Sequence, residues 1–211
     1  MKNRMVAVAT AVVVAGVMGA AGAPARAEAG HGGGSDRAAL QCAGKSVDTA
    51  AKIRYRTETM IDAPLRTVWK IQTDVERWPS WQKPVLSSRR LDGGPLRPGS
   101  PFRWTTPVRE TALNPATTLV VTSTVRQLQH QQCLRWDGPA IGAGLRIDEG
   151  VHVWTFTEID GRVLVRTEET WRGEQVEQDA EFSTVALGAG LETWLTELKI
   201  RAERECERAR R

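Results

Sequence analysis

The stretch VHVWTFTEIDGRVLVRTEETW, residues 151–171, alternates apolar and polar side chains on both sides of Asp160-Gly161. Asp-Gly between two alternating runs is a strong signal for a two-residue type I′ turn, whose central residues both need positive φ. A hairpin closed there sets Phe156 opposite Val165, Trp154 opposite Thr167 and His152 opposite Glu169 on one face. The other face pairs Thr155 with Arg166 and Val153 with Glu168. The first face carries the aromatics. Directly opposed residues have Cβ atoms about 4.5–5.5 Å apart, so the imidazole and the carboxylate can share a hydrogen bond. Three roles are open to the pair: a proton shuttle, an anchor for a polar group of a ligand, or a satisfied link between two strands. A slip of one residue in register would separate the two groups.

Outward from the hairpin the elements follow in a simple order. Residues 52–62 are β-rich and stop at Ala63-Pro64, a strand end and helix start. Helical spacing runs through Leu65, Val68, Trp69 and Gln72, and a short second helix or turn carries residues 75–81. Strand-like segments occupy residues 85–91, 101–108, 117–128 and 132–137, and the Gly- and Pro-rich residues 138–144 read as a loop. After the hairpin, Leu187, Leu191, Trp194, Leu195, Leu198 and Ala202 form one stripe of a long amphipathic helix. The pattern predicts an α+β domain, with an antiparallel sheet packed on a C-terminal helix.

Pro64-x4-Trp69 leading into Asp74-Val75-Glu76-Arg77-Trp78-Pro79-x-Trp81 resembles the helix–turn–helix opening of the polyketide cyclase/dehydrase family. That family lies within the START/Bet v 1-like (SRPBCC) superfamily. Gly99-x2-Phe102-x-Trp104, Leu134-x-Trp136-x-Gly138, His152-x-Trp154-x-Phe156 and Glu169-x-Trp171-x-Gly173 follow in the same order as in the family. The resemblance implies a helix-grip fold over residues 52–208: a curved seven-stranded antiparallel sheet around the long helix, two short helices after the first strand, and a cavity between. It also implies a small hydrophobic ligand, lipid-like or aromatic and polyketide-like, or alternatively a cyclase/dehydratase reaction with His152 and Glu169 as acid and base. Related aromatase/cyclases use a pocket arginine, but Arg103 alternates with Phe102 and Trp104 and falls on the opposite face.

Eight tryptophans stand against one tyrosine and three phenylalanines. An indole offers a broad apolar face and one N–H donor, which suits flat, partly polar guests. Trp78, Trp81, Trp104, Trp136, Trp154, Phe156 and Trp171 are the candidate lining residues, while Trp69 and Trp194 read as core. Gly142, Gly144, Gly188 and Gly190 are candidates for leaving a ligand room to enter. There is no nucleophile elbow, Walker loop, complete dinucleotide fingerprint or zinc-type spacing, so neither a metal nor a nucleotide cofactor is expected.

Lys2 and Arg4 precede an apolar run ending near Met18, and Ala25-Arg26-Ala27 is an A-x-A cleavage site. Residues 1–27 therefore read as a Sec-type signal peptide, which predicts an exported protein with no lasting membrane anchor. An uncleaved anchor helix is the alternative. Three of the 29 basic residues and none of the 25 acidic ones lie in that segment, so the rest of the chain is nearly neutral. That removes the electrostatic footing for a nucleic-acid partner. Residues 28–51, with His31 in a glycine run, read as a flexible linker. Export would place Cys42, Cys133 and Cys206 where disulfides can persist. The expected bridge is Cys42–Cys206, pinning both chain ends and leaving Cys133 as a buried thiol.

Overall fold

The computed structural model describes residues 38–111 and 114–210. The expected signal peptide and the first part of the expected linker lie outside the described residues. Strands β1 (Gln41–Cys42) and β2 (Lys45–Ser46) form a small hairpin. Then come β3 (Ile53–Ile61), α1 (Leu65–Thr73), a 3-10 helix (Val75–Ser80), β4 (Ser87–Arg90), β5 (Pro101–Val108) and β6 (Thr117–Gln129). Next are β7 (Cys133–Gly142), β8 (Leu145–Ile159), β9 (Arg162–Arg172), the single-turn α2 (Glu174–Glu177) and α3 (Ala180–Ala209). Strands β3 to β9 make one open seven-stranded sheet in the order β3-β9-β8-β7-β6-β5-β4, every neighbouring pair antiparallel. The long helix packs against one face, which gives the helix-grip arrangement.

Local chemistry accounts for these elements. Asp160 and Gly161 both hold positive φ, 50° and 75°, and the register sets His152 opposite Glu169 as the turn requires. Pro64, extended at φ −60° and ψ 142°, opens α1, which buries Val68, Trp69, Ile71 and Gln72. The Asp179 carboxylate caps α3 by accepting from Phe182 N–H at 2.9 Å. The stripe from Leu187 to Ala202 is buried, and α3 covers two apolar clusters. One is aromatic, around Trp78, Trp136, Trp154 and Trp194. The other is aliphatic, around Ile53, Ile147, Leu187 and Leu191.

Three expectations need correction. Residues 138–144 are not simply a loop: β7 continues to Gly142 and β8 starts at Leu145. The glycine that suggested a break permits a bulge instead. Gly138 has φ 155°, and a Cβ there would lie 1.9 Å from the Thr122 carbonyl oxygen on the neighbouring strand. The described part of the expected linker, residues 38–51, is packed rather than free. Leu40, Cys42 and Val47 are buried against Cys133, Val151 and Val153 on the sheet face away from α3. The disulfide is Cys42–Cys133, with Cα atoms 5.3 Å apart, and the free cysteine is Cys206. The predicted Cys42–Cys206 bridge fails because the N-terminal segment crosses the convex face, while Cys206 rides on α3 against the concave one.

That N-terminal strap is held by polar ties as well. Leu40 N–H donates to Glu168 Oε2 at 2.6 Å, and Arg54 Nε donates to Glu168 Oε1 at 2.5 Å. Arg135 Nε reaches the Ser46 carbonyl at 2.9 Å, and Arg172 Nε pairs with Asp48.

Candidate functional site

The candidate site begins with a row of side chains running across four strands. Register places Trp136 of β7 beside His152 of β8, His152 beside Glu169 of β9, and Glu169 beside Tyr55 of β3. His152 Nδ1 lies 3.0 Å from Glu169 Oε2. Its Nε2 lies 2.6 Å from Thr167 Oγ1. Trp171 Nε1 donates to the second carboxylate oxygen, Oε1, at 2.8 Å. An ionised Glu169 only accepts, so these partners assign the proton to Nδ1 and leave Nε2 to accept the Thr167 hydroxyl. The imidazole abuts both Trp136 and Trp154, with ring centroids 4.8 and 4.9 Å away. At the end of the row the Tyr55 hydroxyl donates to Glu192 Oε1 on α3. The Glu192 carboxylate that accepts this bond holds the phenol above its ordinary value.

Exposure separates the members of this row. The His152 side chain is 5% exposed and that of Glu169 18%, while Thr167 is wholly buried. Hydroxyl, imidazole and carboxylate follow in the order of a nucleophilic triad, with the hydroxyl enclosed in the closed structure. Both imidazole nitrogens are also taken up by protein partners. The carboxylate is the reachable end of the network.

Beside the row lies the aromatic layer. Trp78 meets Phe102, Trp104, Trp136 and Trp194 with ring centroids 4.9–6.2 Å apart. Trp194 meets Trp104 and Trp154 at 5.5 and 6.1 Å. Most of these contacts are edge-to-face, the arrangement aromatic rings prefer. Trp78 and Trp154 are wholly buried, so the indoles fill the space between α3 and the sheet rather than framing an open chamber. Trp194 is core, as expected, and meets four other indoles of that layer.

The candidate lining residues are therefore distributed. Trp78, Trp104, Trp136 and Trp154 come together. Phe156 packs edge-on against Trp69 at 5.3 Å. Trp171 joins the aliphatic cluster, and Trp81 lies at the outer rim beside a surface cleft. The four candidate entry glycines have mostly local reasons. A Cβ on Gly188 would come within 2.7 Å of the Tyr55 ring, and one on Gly142 within 2.8 Å of Thr117 Oγ1. Gly144 sits in the β7–β8 turn at φ 72°, and around Gly190 the space is open. Arg103 lies on the convex face, its Nε donating to Thr122 Oγ1 at 3.1 Å.

Gln72, Gln82, Thr167 and Tyr55 belong to the site but were not selected from the sequence. Gln72 and Gln82 are wholly buried. Gln72 accepts from Trp194 Nε1 through its side chain at 3.1 Å and from Trp78 Nε1 through its carbonyl at 3.0 Å. A signal for it existed: it is the one polar member of the apolar stripe of α1. Among the described residues, the buried side-chain N–H groups of Gln72, Gln82, Trp104 and Trp154 have no acceptor, and Gln82 Oε1 has no donor. Among the described residues, no cluster of three or more metal-ligating side chains occurs, and no helix is long and apolar enough to cross a membrane.

Residues 52–203 match the family model described as polyketide cyclase / dehydrase and lipid transport. The chain belongs to this family. No curated protein matches it by sequence. Solved structures do. The START superfamily protein from Mycobacterium smegmatis is 13% identical over 72% of this chain and 97% of its own, with a TM-score of 0.54. The Zhui aromatase/cyclase from Streptomyces sp. R1128 is 14% identical over 72% and 94%, also at 0.54. A protein from Thermus thermophilus, TTHA0849, is 17% identical over 71% and 96%, again at 0.54. Identities this low establish a shared fold and leave the chemistry to the site. The strap at residues 38–51 precedes the matched region and is an addition to the family domain.

Proposed function

We propose that this protein binds a small, flat hydrophobic molecule bearing acceptor oxygens, between α3 and the concave face of the sheet. The observation that carries this reading is the set of buried donors without acceptors around Trp194: Gln72 Nε2, Trp104 Nε1 and Trp154 Nε1. More than about 90% of buried polar groups in folded proteins are paired, and each unpaired one costs about 1–3 kcal/mol. Several such donors in one apolar layer suit a guest that brings carbonyl or phenol oxygens among aromatic faces. A lipid-like or polyketide-like compound has that chemistry. Enclosure of the indoles implies that the guest enters by parting α3 from the sheet.

Binding is favoured over catalysis because His152 has both nitrogens engaged and is buried. The cyclase/dehydratase reading requires that imidazole to release Thr167 or Glu169 before it can move a substrate proton. We also propose that the protein acts outside the cytoplasm. The N-terminal segment with its Ala25-Arg26-Ala27 site supports this, and so does a Cys42–Cys133 bridge, since disulfides persist in oxidising compartments.

The test is to incubate the purified protein with an extract of its producing cells and analyse bound and free compounds by mass spectrometry. One unaltered compound retained in stoichiometric amount supports binding, and Trp104→Phe with Trp154→Phe should then weaken retention about tenfold or more. Conversion to a dehydrated or cyclised product that His152→Gln abolishes would instead establish the enzyme. Export is checked separately, by fractionation and by sequencing the secreted N-terminus, expected near Glu28.

A further inference from the structure

A second binding site lies outside the aromatic layer. The end of the 3-10 helix and one face of α3 enclose a cleft of about 470 Å³, within the range of small-molecule sites. Three of its lining side chains are apolar: Pro79, Trp81 and Ile200. Its walls carry Lys83, Arg201, Arg204 and Arg208 against only two carboxylates, Glu197 and Glu205. Both carboxylates are already neutralised, Glu197 by Lys83 at 2.9 Å and Glu205 by Arg201 at 3.0 Å. Arg204 and Arg208 remain one helical turn apart, exposed and without an ion-pair partner among the described residues.

The helix dipole explains only part of this charge. Its influence falls off within the last turn, which covers Arg208 but not Arg201 or Arg204. Trp81 and Arg201 both line the cleft, and the charge of Arg201 is taken up by Glu205. Trp81 is itself 9% exposed. Apolar side chains beside two exposed, unpaired arginines call for a ligand that is apolar along its body and anionic at one end.

We infer that this cleft binds an amphipathic anion, its apolar body on Trp81 and Ile200 and its carboxylate or phosphate monoester between Arg204 and Arg208. The cleft opens on the outer side of Trp81, whose ring meets Trp194 of the aromatic layer edge-on at 6.5 Å. Arg204 and Arg208 are surface residues, so replacing them leaves the core intact.

Decanoate, decyl phosphate, decanol and inorganic phosphate serve as probes against the full chain, with 15N-labelled tryptophan reporting on the indole N–H signals. Decanoate or decyl phosphate should shift the Trp81 signal at concentrations below about 1 mM, whereas decanol and inorganic phosphate alone should bind at least about tenfold more weakly. Arg204→Ala with Arg208→Ala should weaken the anionic probes about tenfold or more and leave the interior indole signals unchanged. Raising salt should weaken them as well, because both arginines are exposed. The inference is overturned if neither anionic probe shifts Trp81, if decanol binds as well as they do, or if the double variant binds them unchanged. Shifts confined to Trp104 and Trp154 and indifferent to the arginines would put the probe in the interior layer and exclude the cleft.

Discussion

Glu168 and Glu169 are neighbours in β9, yet they meet opposite environments. Glu168 points to the convex face, wholly buried beneath the N-terminal strap, with the Arg54 guanidinium on one oxygen and Leu40 N–H on the other. Glu169 points to the concave face, where an imidazole and an indole N–H hold it and part of it stays exposed. The first carboxylate is matched by a fixed cation and sealed, so it serves architecture. The second keeps a reachable edge beside an aromatic layer, so it is suited to meet a guest. Two identical side chains thus acquire different roles from the period-two alternation of one strand.

The largest expected effect breaks the convex side. Arg54→Met leaves a buried carboxylate without its cation and should cost about 3–5 kcal/mol in urea unfolding, with Glu168→Gln in the same chain restoring most of it. A loss under about 1 kcal/mol would mean that Glu168 needs no such partner and that the contrast is false. Next comes the covalent tie. Cys42→Ser with Cys133→Ser should lower stability by about 2–4 kcal/mol, because the bridge closes a loop spanning 91 residues. Intact mass with and without reduction should first show a single bridge, and alkylation should label Cys206 alone. On the concave side, Glu169→Gln keeps an acceptor for Trp171 and should cost only about 1–2 kcal/mol. Its larger effect should be on ligand retention, so an equal retention assay for the variant would move Glu169 into the structural class with Glu168.

The smallest effect is a pH dependence of the strap. The Arg172 guanidinium bonded to Asp48 holds that carboxyl below its ordinary value of 3.8. A lowered value means the folded state favours the ionised form. The contribution is therefore complete above the ordinary aspartate value and is lost as pH falls through the lowered one. For a tie this exposed it amounts to about 0–1 kcal/mol. Thermal midpoints of wild type and Asp48→Asn should converge as the pH falls through and below the lowered value; a gap that stays constant with pH would remove the ionic account.

Much of this was legible in the letters because the signals are local. Asp160-Gly161 specifies a turn, the turn specifies a register, and the register brings His152 to Glu169 without any long-range information. The stripe on α3 is local in the same sense. The cysteine pairing was not legible, since it depends on which face of the sheet the N-terminal segment crosses. Nor was the loop at residues 138–144: glycine there signals both a break and a close strand approach, and only the Thr122 carbonyl on the next strand distinguishes them. The hairpin aromatics were recognisable as sharing one face, but whether they line a space or fill it depends on how their rings interlock.

By itself the sequence determined the order of the main strands and helices from residue 52 on, the hairpin register and the family resemblance, because period, turn chemistry and motif order are properties of neighbouring residues. Only the tertiary structure decided that Cys42 meets Cys133, that Trp194 meets four other indoles, and that Trp81 fronts a basic cleft. Those outcomes depend on contacts between residues far apart in the chain, where packing and the crossing of faces, rather than local preference, select the partner.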